Sequence, residues 1–321
     1  SRQNNAGQLN MVLVLGWALV YAGLKQKWHP AAVGGIAAFL MMFKITPGIL
    51  GLYFLLTRRW RHAGWMAGWS IVFLLLSGLV VGVGTHLEFV PILSNMGFGK
   101  STWAAEGMTF WRDPYNQSIN ALFHHLFVAV EGFPPALIDA GAGVANGATW
   151  VLALGLLTAF GFVAFRFGGN REGAGEAVNP GVFGLTICAS LLLPSIMWDH
   201  YLVQALVVVV ILWPMGLGGR ERLNKVLLAS VVIVYSLGIQ FDSLRFHLGI
   251  LGRLQYVLPA LTEWGWFVSL TKPYGVPSAG LLGTLAMSLK LYPTLVLFGL
   301  CAAHARTFQE SGEEGENRAE V

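Results

Sequence analysis

Ala63-Gly64-Trp65-Met66-Ala67-Gly68-Trp69-Ser70-Ile71-Val72-Phe73-Leu74-Leu75-Leu76-Ser77-Gly78-Leu79-Val80-Val81-Gly82-Val83-Gly84 runs on without a charged side chain. A hydrocarbon layer of ~30 Å takes about 20 such residues in a helix that rises about 1.5 Å per residue. The stretch has none of the apolar and polar alternation that a barrel strand needs, so it reads as a membrane-spanning helix. Its upstream flank, Arg58-Arg59-Trp60-Arg61, is basic and aromatic, as cytoplasmic interfaces are, and the helix therefore leads outward.

The rest of the chain agrees. Of 321 residues 55% are hydrophobic and 11% charged, and mean hydropathy is +0.62. Soluble domains carry about a quarter charged residues, so this composition excludes a water-soluble fold and predicts an all-α, polytopic membrane protein. The 20 Lys and Arg outnumber 16 Asp and Glu, but they are scattered over short loops, where they orient helices rather than bind nucleic acid. Cys188 and Cys301 lie in apolar runs without metal-ligand spacing. The outer loops lack the carboxylate cluster that Mg²⁺ or Mn²⁺ would need, and no cofactor is expected.

Reading outward from the opening stretch gives a topology. Leu9 to Leu24 is a short inbound run ending at the basic Lys25-Gln26-Lys27-Trp28-His29. Ala31 to Thr57 is broken by Lys44-Ile45-Thr46-Pro47 and has basic flanks on both sides. That pattern predicts a re-entrant hairpin with its tip near Lys44 and Pro47, since Pro cannot continue a helix. Beyond the outward helix lies a mixed-charge outer stretch, His86 to Tyr115, then an amphipathic, interfacial segment from Asn116 to Val130. Further crossings are expected at Trp150–Phe165, Val182–Trp198, Tyr201–Leu217, Val226–Gln240 and Ala279–Ala302. Residues 1–302 thus form one membrane domain, and residues 303–321 a disordered cytoplasmic tail.

This topology gathers three polar clusters on the outer face: Arg112 to Ser118, Trp198 to Tyr201, and Asp242 to Arg245. Ionisable groups at the boundary of apolar helices are costly, and persist mostly where they pair or perform chemistry. The Lys44 tip approaches the same face, and the clusters together predict a shared outer site.

Four stretches carry a family resemblance: Gly7-Gln8-Leu9-Asn10, Lys44-Ile45-Thr46-Pro47, Asn116-Gln117-Ser118, and Pro194-Ser195-Ile196-Met197-Trp198-Asp199-His200. In order and spacing, up to about residue 215, they resemble glycosyltransferase family 87. The resemblance implies a helical bundle of the GT-C type in the bacterial cytoplasmic membrane. It implies an inverting glycosyltransferase that moves a sugar, most often mannose, from a polyprenyl-phosphate donor to a lipid or glycan acceptor at the outer face. In such folds the base is an Asp in the first outer loop. The chain looks as if it begins after that loop, since Ser1-Arg2-Gln3 has neither an initiator Met nor a signal-peptide layout.

The resemblance assigns Asp199 and His200 to catalysis, as a carboxylate-oriented imidazole near the lipid phosphate. Their competing reading is a capped, solvated helix end. Lys44 is assigned to the donor phosphate, against snorkelling to a nearby interface. Asn116, Gln117 and Ser118 are assigned to sugar hydroxyls, against a polar helix start with Ser118 or Asn116 as cap. Gln8 and Arg112 complete the substrate-binding set, against a polar helix terminus and an exposed ion pair with Asp113. A transporter or flippase of lipid-linked sugars, or a catalytically incomplete fragment, stays open as the alternative.

Overall fold

The computed structural model describes residues 3–94, 97, 116–129, 135–169, 177–216, 220–236, 284–285 and 288–319. Among these the chain is helical, without a strand, as an all-α membrane protein should be. The opening helix, α1 (Gln3–Lys25), ends in a tight turn in which Lys27 takes φ 56°, and α2 (Pro30–Phe43) then starts under a His29 cap with Pro at its first position.

The broken segment folds as its sequence implies. Lys44 is extended at φ −156° and ends α2, a 3₁₀ turn (Thr46–Gly48) holds Pro47, and α3 (Ile49–Leu56) follows. The long α4 (Trp60–Val81) then runs parallel to α2: a side chain at Gly34 would strike Trp65 and Met66, Gly35 lies against Trp69, and the Phe39 and Phe73 rings meet. Two parallel helices joined by one short return segment make α2 and α3 a helical hairpin with Lys44 at the tip. The glycines allow the close approach by which helices associate in lipid. α1 lies antiparallel to α2, with Gly16 on Leu40 and Gly23 on Val33. That register sets Lys44 beside Val12 and places Gln8 about one turn beyond.

After α5 (Val83–Ser94) come α6 (Ile119–Phe127), α7 (Gly141–Phe167), α8 (Pro180–Leu192), α9 (Ala205–Leu212), α10 (Glu221–Ser236) and α11 (Leu291–Ala319). Every residue of α8 is buried, and it is the centre of the molecule. Its Phe183 ring packs on Trp17, Tyr21 and Tyr53 at centroid distances of 6.0, 5.1 and 5.7 Å. A side chain at Gly181 would collide with the Ala305 backbone of α11. By contrast α4 exposes Ile71, Leu75, Leu79 and Val80, the surface of a helix that faces lipid.

The basic loops meet at one end of the bundle. Arg59 Nη2 donates to the Ala177 carbonyl at 3.5 Å, and Gly168 abuts Thr57. Asn179 caps α8 and donates to Phe167 O at 3.1 Å and Ala305 O at 2.8 Å. Nearby, His304 Nε2 bonds Asn224 Oδ1 at 2.9 Å, while Asn224 Nδ2 donates to the Leu212 and Met215 carbonyls. These contacts bring Arg58, Arg166 and Arg220 to one end, and Lys25 joins them through the His29–Trp65 ring pair at 6.3 Å.

Several expected spans are corrected. Among the described residues only α4 and α7 are both long and apolar enough to cross a bilayer alone. Val182–Trp198 and Tyr201–Leu217 become α8 and α9, of 13 and 8 residues, because the Pro194–Trp198 segment and the 3₁₀ turn Asp199–Gln204 occupy the space between them. Val226–Gln240 becomes α10, which begins earlier, at Glu221. Of the expected Ala279–Ala302 span, residues 284–285 are helical and a turn at 288–290 leads into α11, whose helix continues through Ala319 into the tail expected to be disordered.

Candidate active site at the end opposite the basic loops

Two of the polar stretches, far apart in sequence, are tied together here. Asn116 pairs with Trp198 as an isolated antiparallel bridge. The Gln117 N–H donates to Met197 O at 2.7 Å, and the Met197 N–H returns a bond to Asn116 Oδ1 at 3.0 Å. Asn116 Oδ1 also accepts from the Ser118 N–H at 3.1 Å. Ser118 Oγ donates to Ser195 O at 2.8 Å and accepts from the Ala121 N–H at 3.1 Å, so it caps α6. Buried polar atoms need such partners. Ser118 thus caps α6, as the competing reading had it, and the Asn116 carbonyl and the Ser118 hydroxyl also hold the backbone of the Ser195–Trp198 segment.

Lys44 joins this knot from the hairpin tip. Its ammonium lies on the face of the Tyr201 ring, a cation–π contact in a setting poor in water. The His200 ring meets Tyr201 edge-on at 4.6 Å. The Tyr201 N–H donates to Trp198 O at 2.9 Å, which closes the turn. Behind it, Trp17 Nε1 donates to Gln204 Oε1 at 2.8 Å and fastens α1 to the 3₁₀ turn. Lys44 and His200 are thus neighbours of one tyrosine, while Asp199 opens the turn that carries His200 and Tyr201.

Other expected residues fare differently. Gln8 lies on α1, on the side of Val12 toward this end. Arg112 and Asp113, with Asp242, Arg245 and His247, lie outside the described residues. The sequence reading missed Lys290, which is buried at 7% exposure in the turn before α11, with its N–H bonded to Gln117 Oε1 at 3.0 Å. The signal was present, a Lys between Leu289 and Leu291, but it was absorbed into an expected span. Among the described residues no three His, Cys, Asp or Glu side chains converge as a metal site requires.

An apolar groove of about 370 Å³ runs along α1, α2 and α4, lined by Val12, Leu15, Leu19, Ile36, Phe39, Trp69 and Phe73 among others. Phe39 and Leu40 bring one of its ends to within about a turn of the Lys44 tip.

The model of glycosyltransferase family 87 matches residues 3–194, more than half of the chain. The chain belongs to glycosyltransferase family 87. The match ends at Pro194, so the Trp198–Tyr201 turn lies past its boundary and is joined to it physically through Asn116, Gln117 and Ser118. The chain is also similar to the polyprenol-phosphate-mannose-dependent alpha-(1-2)-phosphatidylinositol pentamannoside mannosyltransferase of Mycolicibacterium smegmatis (strain ATCC 700084 / mc(2)155), 29% identical over 196 residues, or 61% of this chain. The chain spans 40% of that relative's length. No solved structure matches the chain.

Proposed function

We propose that this family 87 protein is an inverting glycosyltransferase that moves mannose from a polyprenyl-phosphate donor to a hydroxyl of a lipid or glycan acceptor. The reaction would take place at the extracytoplasmic face of the bacterial cytoplasmic membrane. The observation that carries the reading is the Lys44 ammonium, held by a helical hairpin against the Trp198–Tyr201 turn. An intramembrane cation is costly and is kept where it meets an anion or a pathway. The positive-inside tendency turns the end bearing Lys25, Arg58, Arg166 and Arg220 toward the cytoplasm, which leaves Lys44 and His200 toward the outside.

In this reading the acceptor oxygen attacks C1 of the mannose and the bond from C1 to the phosphate oxygen breaks. The departing oxygen keeps the electron pair, and Lys44 stabilises the charge that develops on the phosphate. His200, with Asp199 beside it in sequence, takes the acceptor proton at the same turn. The apolar groove leading from Lys44 suits an isoprenoid chain, and the relative's printed name points to mannose.

The test is an assay of the full-length gene product in bacterial membranes, supplied with radiolabelled polyprenyl-phosphate-mannose. Transfer to a lipid or glycan fraction is expected, and Lys44→Met should lower it about 100-fold. A protein that moves the donor across the bilayer without cleaving the sugar from its phosphate would rule the enzyme reading out in favour of a transporter.

A further inference from the structure

We infer that Asn120 is a sugar-recognising residue of this site, whose side-chain oxygen accepts a hydrogen bond from a hydroxyl of the transferred mannose. The inference rests on the donor reading above and deepens it.

Asn120 belongs to none of the stretches that carry the resemblance. It stands in the first turn of α6, two residues past the Ser118 cap, and is 1% exposed. Its backbone carbonyl accepts from His124 Nδ1 at 2.8 Å. Its side-chain Nδ2 lies 3.4 Å from the Ser195 carbonyl oxygen, which also accepts from Ser118 Oγ. An oxygen that can only accept faces the NH2 of an amide, so the orientation of the Asn120 side chain is fixed. Oδ1 is thereby turned off the Ser195 oxygen, and it is buried with no donor among the described residues.

The neighbouring amides differ. Asn116 Oδ1 accepts from the Ser118 and Met197 N–H groups, and Gln117 Oε1 accepts from the Lys290 N–H, so both oxygens serve the fold. Asn120 Oδ1 loses its hydration on burial and gains no partner from the fold, which is destabilising unless a ligand or an ordered water brings a donor. A carbonyl oxygen offers lone pairs alone, so it suits a hydroxyl and repels a phosphate. Lys44 has the opposite preference. Both are held to one segment: Asn120 and Ser118 bind its Ser195 carbonyl, and its Trp198 carbonyl holds Tyr201, on whose ring the Lys44 ammonium rests. A glycosyl phosphate has an anionic end and an end of hydroxyls, and a cation and a bare acceptor on the same segment match the two. A buried acceptor set for one hydroxyl rejects a sugar that lacks it, which makes Asn120 a determinant of sugar specificity.

The direct test compares polyprenyl-phosphate donors carrying mannose and each of its monodeoxy forms, with the purified full-length protein. The readout is kcat/KM, or donor Kd by tryptophan fluorescence where a variant does not turn over. Wild type should lose about 100-fold or more on one monodeoxy donor. Asn120→Ala should lose about as much on mannose itself, and should use mannose and that one deoxy donor within about threefold of each other, with its ratios for the other deoxy donors as in wild type. Asn120→Leu carries the same expectation and replaces it if the Ala variant does not fold. Ratios unchanged for every donor, as an ordered water at Oδ1 would give, or a wild type that uses every deoxy donor as well as mannose, would overturn the assignment of Asn120 and leave the donor reading standing. A wild type that transfers no mannose from the polyprenyl phosphate would overturn both.

Discussion

The Lys44 ammonium rests on the face of the Tyr201 ring. One residue stands at a break between two short helices, the other in a 3₁₀ turn between two more. Breaks of this kind leave backbone and side chains free to face a ligand inside a membrane protein, where continuous helices present only apolar surface.

If the ring face is what positions the ammonium, Tyr201→Phe should keep transfer within about threefold of wild type and Tyr201→Leu should lose about tenfold, as a desolvated cation–π contact would. Initial rates at saturating donor, measured with matched protein levels, decide this. Equal rates for Phe and Leu would mean that the ring acts only as filler.

His200→Ala should reduce transfer by about 100-fold or more if the imidazole takes the acceptor proton. The same variant should melt within a few degrees of wild type, because the His200 ring packs edge-on to Tyr201 rather than in the apolar centre. Unchanged transfer would remove His200 from the site.

Asn116 has a different role, and its loss should appear as instability. Its carbonyl oxygen accepts from both Ser118 and Met197, so Asn116→Leu leaves two buried donors unsatisfied, at about 1–3 kcal/mol each. Thermal unfolding in detergent should start several degrees lower. A melting temperature equal to wild type with transfer abolished would instead make Asn116 a substrate ligand.

Gly181→Val should prevent α8 from seating against α11, since a β-carbon there already meets the Ala305 backbone. Phe183→Ala, which empties the space between Trp17, Tyr21 and Tyr53, should cost about 3–5 kcal/mol and still fold. Size-exclusion profiles of the two variants separate these outcomes.

What could be read from the sequence follows from which physical terms are local. The Lys44–Pro47 break was legible because proline and an isolated cation disrupt an apolar helix on their own. The long α4 was legible from its length and its lack of charge. The two short helices α8 and α9 were not, because a buried core helix and a membrane span have the same composition, and only packing shows that all of α8 is enclosed. Within the candidate site, the Ser118 cap was legible, but the hydrogen bonds of Asn116 and Ser118 to Met197 and Ser195 were not, since they join segments that sequence cannot place side by side. Lys290 went unnoticed for the same reason: its position depends on a contact with Gln117.

An outward-facing site requires Arg58 and Tyr201 to lie on opposite sides of the bilayer. Single cysteines at Arg58 and Tyr201, in a background where Cys188 and Cys301 are replaced by Ala, can be probed in intact cells with a membrane-impermeant maleimide. The expected result is labelling of Tyr201→Cys from outside and of Arg58→Cys only after permeabilisation. Labelling of both positions from the same compartment would contradict it.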